Sequence, residues 1–231
     1  MSDDDQMWVP TGRGVLSWLR DLGARWSAPR VEPPELAEVE REIEAAGWDA
    51  AWAAEVVRRA EAHEGQALYG LGCGGTDPSA PSPCGPYNPR PGEDPRVTAE
   101  RRARGDVWLD CSGFLSWCWS EPRHDPDDGE DEIGGDWIYT DALEADAKGR
   151  QRFCRRVMPP AVKPGDGLVY GAGAKVGHCA IVVAVPAVVR RFADVVCIHC
   201  HGPSGKGPAI TRSSGALWDR KGGIAIRRVG R

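Results

Sequence analysis

Three short apolar segments in the last third of the chain constrain its fold most. Residues 168–170 (LVY), 178–185 (HCAIVVAV) and 194–200 (DVVCIHC) are strand-length and rich in β-branched side chains. A fourth segment, 223–229 (GIAIRRV), reads the same way, and the turn KPGDG stands before the first. The preceding half has a different character. Residues 12–26 place Val15, Leu16, Trp18, Leu19, Leu22 and Trp26 at mostly helical spacing. After the break SAPRVEPP comes a Glu-rich helical stretch from Glu35 to Ala46. Asp49 is placed to cap a third helix running to about His63, with Ala53, Val56, Val57 and Ala60 as its apolar side. Helices first and an antiparallel meander after them define an α+β chain.

Two segments interrupt this plan. Residues 70–98 are dominated by Gly and Pro and predict a long loop, of the kind that often carries function. Residues 121–136 form an acidic stretch without the ligand spacing of an EF-hand, which predicts a solvated excursion. Between them, VWLDCSGFLSWCW predicts a helix that starts at Asp110 or Ser112, and residues 139–157 read as a further helix. No internal repeat is present.

Charge and termini narrow the class. The 231 residues carry a formal net charge of −5, which excludes a uniformly basic nucleic-acid surface. No run approaches the length of a membrane span. The start, MSDDDQMWVP, lacks the positive and apolar regions of a signal peptide. The expectation is a product that is cytoplasmic as synthesised, delivered to any outside target by lysis, a phage particle or a secretion system. In that setting the eight cysteines read as thiols rather than disulfides.

Chemistry concentrates at three positions. Only a thiolate is a strong nucleophile, and a free Cys needs help to become one at neutral pH. Cys111, in D-C-S-G-F-L, falls on the first turn of the expected helix, where the helix dipole favours the thiolate and free N–H groups can hold an oxyanion. Gly113 is expected to leave room for a substrate. His178 begins the second strand, where a sheet can aim it as a base. His199 shares a strand face with Cys197 and His201, and adjacent antiparallel strands bring it beside His178 as the group that orients the base. His201 is the alternative occupant of that third role. A structural zinc site on Cys197, His199, Cys200 and His201 competes, although a strand points Cys197 and Cys200 to opposite faces and there is no second CxxC. Cys118 reads as a core thiol, and His63 and His124 as surface residues. Trp108, Trp117 and Trp119 flank Cys111 as core or as groove lining.

The runs LDCSGFLSW, VKPGDGLVY, VGHCAIVV and CIHC, with YGLGCGG upstream, resemble the NlpC/P60 family of cysteine peptidases. The resemblance spans about residues 49–229. It implies a papain-like NlpC/P60 fold, with a nucleophile-bearing helix packed on an antiparallel β-sheet. Residues 1–48 would be an N-terminal helical extension and 49–231 the peptidase domain, with insertions at about 74–106 and 121–162. Cys179 stands where the family often has a smaller apolar residue. The resemblance further implies cleavage of amide bonds in peptidoglycan stem peptides or muropeptides, of the D-glutamyl–diamino acid type, without cofactor or metal. Carried across, Cys111 is the nucleophile, His178 the base and His199 the orienting residue. Tyr69 matches a tyrosine that lines the site, and Asp110 and Ser112 flank the nucleophile as contacts for a substrate amine. An acyltransferase or amidase on the same scaffold, or a zinc-stabilised binding module, are the other functions open to these residues.

Overall fold

A computed structural model describes residues 48–89, 92–123, 138–173 and 176–230. The helices expected over 12–26 and 35–46, the boundary expected at 48/49, most of the acidic stretch and His124 lie at or outside the edges of the described residues. The described part is α+β.

Helix α1 (Ala50–Ala62) begins as its sequence predicts. The Asp49 carboxylate accepts from the N–H groups of Ala51 (2.7 Å) and Trp52 (3.0 Å), filling the orphan donors of the first turn. Ala53, Val56 and Ala60 form its buried stripe. The described residues of the expected loop 70–98 hold no helix or named strand before Pro95, and short elements flank it. Strand β1 (Leu68–Tyr69) runs parallel to β2 (Trp108–Leu109), pairing Leu68 with Trp108 and Tyr69 with Leu109. Between them lies α2 (Pro95–Ala103), with Asp94 capping Arg96 N–H at 2.8 Å and Pro95 at its first position. It buries no residue, so its sequence has no apolar period to reveal it.

Helix α3 (Cys111–Cys118) is buried on every side. Helix α4 (Thr140–Lys148) is shorter than the expected 139–157. It stops at Gly149, and the Asp146 carboxylate then takes the N–H groups of Arg152, Phe153 and Cys154 at 3.1, 3.0 and 2.8 Å. Those bonds turn the chain into an edge strand, β3 (Cys154–Val157), in place of more helix.

The remaining strands are β4 (Gly167–Tyr170), β5 (His178–Ala184), β6 (Val196–Cys200), β7 (Ile210–Ser214) and β8 (Ile224–Arg228). A short helix, α5 (Ala216–Lys221), joins the last two. They form one antiparallel sheet in the order β3-β8-β4-β5-β6-β7. The expected meander is therefore extended: β7 adds to its end, while the first and last strands pair beside β4. Asp194, expected at the start of a strand, instead closes a 3₁₀ turn, Phe192–Asp194, by accepting from Arg190 and Arg191 N–H.

The sheet is buried on both faces. Leu168, Ala180, Val182, Cys197 and Ala225 pack with Trp218 of α5. The alternating residues Cys179, Ile181 and Ile198 are also fully buried, and α1 and α3 pack against β5. Among the described residues, no helix is long and apolar enough to cross a membrane.

One buried ion pair ties the sheet to the turn before β4. Arg227 grips both Asp166 oxygens, through Nε at 2.7 Å and Nη2 at 2.8 Å, and also donates to Ala161 O at 2.8 Å. Burial pushes the Asp166 carboxyl above its ordinary range even though Arg227 pulls it down. Removing the cation would strand that carboxylate without solvent. Arg227→Ala is expected to lower the unfolding free energy by about 3–5 kcal/mol, read from denaturant melts.

Candidate active site

The start of α3 is held by one carboxylate. Asp110 is its N-cap: Oδ1 accepts from Gly113 N–H (2.8 Å) and the Ser112 hydroxyl (3.3 Å). Oδ2 accepts from Gly72 N–H at 2.6 Å. Arg123 forks onto both oxygens, at 2.5 and 2.9 Å, with both side chains only 2% exposed. Asp110 N–H donates to Cys73 O at 3.0 Å. Asp110 and Ser112, expected to meet a substrate amine, are thus bonded within the protein. The glycine loop 72–75 lies directly on the helix. A Cβ on Gly75, which also has φ +74°, would fall 2.2 Å from Gly113 O. A Cβ on Gly113 would fall 2.7 Å from Arg123 Nη1 and 2.8 Å from Cys73 O. The space expected beside Gly113 for a substrate is filled by this loop.

Cys111 is the first residue of α3 and is 4% exposed. Its own N–H and that of Ser112 have no acceptor within the described residues. The Cys111 thiol is pulled down to about 5. The largest cause is a hydrogen bond from the Cys179 thiol, followed by the charge and hydrogen bond of His178; burial and the Asp110 charge oppose them. Cys179 shifts the other way, well above an ordinary thiol, through burial and its bond to the Cys111 sulfur. It therefore remains a protonated donor. Strand alternation places Cys179 on the sheet face opposite His178, so Cys111 draws on both faces at the end of β5.

Behind His178 stands a chain of polar groups. His178 Nε2 lies 2.7 Å from His199 Nδ1, and His199 Nε2 lies 3.0 Å from Ser213 Oγ. Trp218 stacks on the His178 ring, with centroids 5.5 Å apart at 25°, and meets His199 edge-on at 5.6 Å. His201 stacks on His199 at 4.4 Å, and its ring centroid is 6.2 Å from that of His178. Of the two candidates for the third position, His199 makes the hydrogen bond. Burial and the neighbouring His178 hold His199 well below the ordinary imidazole range, so it is neutral. Tyr69 is half-buried at the end of β1, and its phenol is pushed up by burial and then by the Cys111 and Asp110 charges. It stays an O–H donor beside the thiolate.

Four residues of this site escaped the sequence. Cys179 alternates away from His178, and only the reach of α3 brings it to Cys111. Ser213 lies on β7, whose ITRSS sequence has one fully buried position and little strand signal. Trp218 lies on a six-residue helix too short for periodicity. Arg123 has no local marker and finds Asp110 only in space.

Other expectations resolve simply. Trp108, Trp117 and Trp119 are core residues, at most 4% exposed. Cys118 is fully buried, and none of the eight cysteines forms a disulfide. Cys197 faces Ser213, whereas Cys200 Sγ donates to Leu109 O at 3.3 Å, so the proposed zinc ligands diverge. Among the described residues, no cluster of His, Cys, Asp or Glu could hold a metal ion. No family model, curated protein or solved structure matches the chain.

The two thiols generate a test. Cys179→Ala removes the donor that most favours the Cys111 thiolate, so the Cys111 pKa is expected to rise from about 5. The pH dependence of Cys111 alkylation, read by peptide mass, reports the shift. An unmoved midpoint would remove Cys179 from the site.

Proposed function

We propose that this chain is a cysteine hydrolase with a papain-like, NlpC/P60-type site, which cuts amide bonds in peptidoglycan stem peptides. The observation that carries the reading is the arrangement of His178. It interacts with the Cys111 thiol, which is pulled down to about 5, and its Nε2 meets a neutral His199 at 2.7 Å. A buried thiol at the start of a helix, a base and a group orienting that base are the parts acyl transfer needs. The substrate class, D-glutamyl–diamino acid bonds, rests on the resemblance of LDCSGFLSW and VGHCAIVV to the family's motifs.

In this mechanism the Cys111 thiolate attacks the peptide carbonyl. Negative charge develops on the carbonyl oxygen, where the free N–H groups of Cys111 and Ser112 and the Tyr69 hydroxyl are available to receive it. The His178 imidazolium gives its proton to the leaving amine as the C–N bond breaks, leaving a thioester on Cys111. Neutral His178 then takes a proton from water, which adds to the thioester. The second tetrahedral species collapses, and Cys111 leaves as thiolate with the new carboxylic acid free. His199 keeps the imidazole turned correctly throughout. Asp110 sets the helix start and does not enter the chemistry.

Mass spectrometry of peptidoglycan incubated with the protein tests this directly. New soluble fragments are expected from wild type, and folded Cys111→Ala should lose at least about 10³-fold in turnover. Fragments produced equally by Cys111→Ala would rule out the thiol mechanism. The pH profile has a defined acid side. Because the Cys111 pKa is lowered, the thiolate persists until pH falls to about 5, and kcat/KM is expected to drop on passing below it.

A further inference from the structure

The bond between His178 and His199 imposes a requirement that neither ring meets alone. In the thiolate form of the site, His178 is an imidazolium and its Nε2 carries a proton. That N–H points at His199 Nδ1, 2.7 Å away. His199 must accept there, so its single proton must sit on Nε2. The other neutral tautomer would oppose one N–H to another and push the proton off His178. Two neutral imidazole tautomers differ little in energy by themselves, so the surroundings choose between them.

We propose that Ser213 is a positioning residue that makes this choice, an inference that rests on the thiol–imidazole reading above. Its Oγ lies 3.0 Å from His199 Nε2, 3.3 Å from Ser214 O and 3.6 Å from Cys197 Sγ, whose own proton can go to Ser213 O at 3.5 Å. The hydroxyl donates to that carbonyl, which has no proton to offer. Its oxygen is then left to accept from His199 Nε2–H. The donors run in one direction: His178 Nε2–H to His199, His199 Nε2–H to Ser213, Ser213 Oγ–H to Ser214 O. The carbonyl, which can only accept, favours this polarity.

Register explains how a residue of β7 reaches this place. His199 pairs with Thr211, and Ser213 pairs with Cys197, so Ser213 is the diagonal neighbour of His199 on the same face. Trp218 packs against both imidazoles, stacked on His178 and edge-on to His199. The half-buried Ser213 touches neither Cys111 nor a substrate, and its effect passes wholly through His199.

The test compares Ser213→Ala and Ser213→Thr with wild type, using carboxamidomethylation of Cys111 by iodoacetamide across pH, read by peptide mass. It needs no substrate. The other titratable groups around Cys111 are Tyr69 of β1, Asp110 before α3, Tyr170 of β4, Cys179 of β5 and Cys200 of β6, and those facing the imidazoles and Ser213 are His201, just after β6, and Cys197 of β6. None is altered in either variant. Wild type should titrate at about 5. Ser213→Ala should move the midpoint up by about one unit, the scale of one lost hydrogen bond to a charged system. It should also lower kcat roughly tenfold on peptidoglycan fragments while KM holds. Ser213→Thr, which keeps the hydroxyl, should restore both. A Ser213→Ala midpoint that overlays wild type would overturn the proposal and leave the thiol–imidazole pair standing, as would a threonine variant shifted as far as alanine. A wild-type Cys111 that titrates like a free thiol would instead overturn the pair itself, and this inference with it.

Discussion

The site depends on where α3 begins, and that is decided by the Asp110 carboxylate. Its two oxygens receive the helix's own Gly113 N–H, the Gly72 N–H of the glycine loop and the guanidinium of Arg123 from beyond the helix. One anion thus joins three stretches of chain at the point where Cys111 emerges. The charge is nearly sealed from water, so the fork of Arg123 is what makes its burial tolerable. Because the glycine loop lies against Gly113 at backbone distance, neither the loop nor the helix start can shift without the other. The cost is a negative charge beside Cys111, which acts against its thiolate.

The sheet answers that cost from both of its faces. One face sends Cys179 to the Cys111 sulfur as a thiol donor. The other holds His178 against His199 under Trp218. Burial affects the partners differently, and usefully. It raises the Cys179 thiol and lowers the His199 imidazole, so both stay neutral, while Cys111 becomes charged. Cys179 and His199 thus supply hydrogen bonds without adding charge.

Much of this could be read along the chain where the signal is local. Asp49 and Asp110 announce helix starts because a cap acts within three residues. The β5 and β6 segments declare themselves because a doubly buried strand is a run of apolar β-branched side chains. The same logic explains the errors. Residues 154–157 read as helix because their neighbours are helical, and only pairing with β8 makes them a strand. Helix α2 stayed hidden because it buries nothing, and β7 because its inner positions are polar.

The sequence by itself determined the α+β plan, the position of Cys111 on a helix start, and the strand faces that carry His178 and His199. These follow from spacing, and spacing is a property of neighbours along the chain. Only the tertiary structure decided what stands next to them: Cys179 at the sulfur, Ser213 behind His199, Trp218 over both rings, Arg123 on Asp110. Each of these meets its partner across a gap of 13 to 68 residues or from another element, as with Arg123 and Asp110 at the near end and Cys179 and Cys111 at the far end. No periodicity couples such positions, because their contact is created by sheet register and helix packing after the chain has folded.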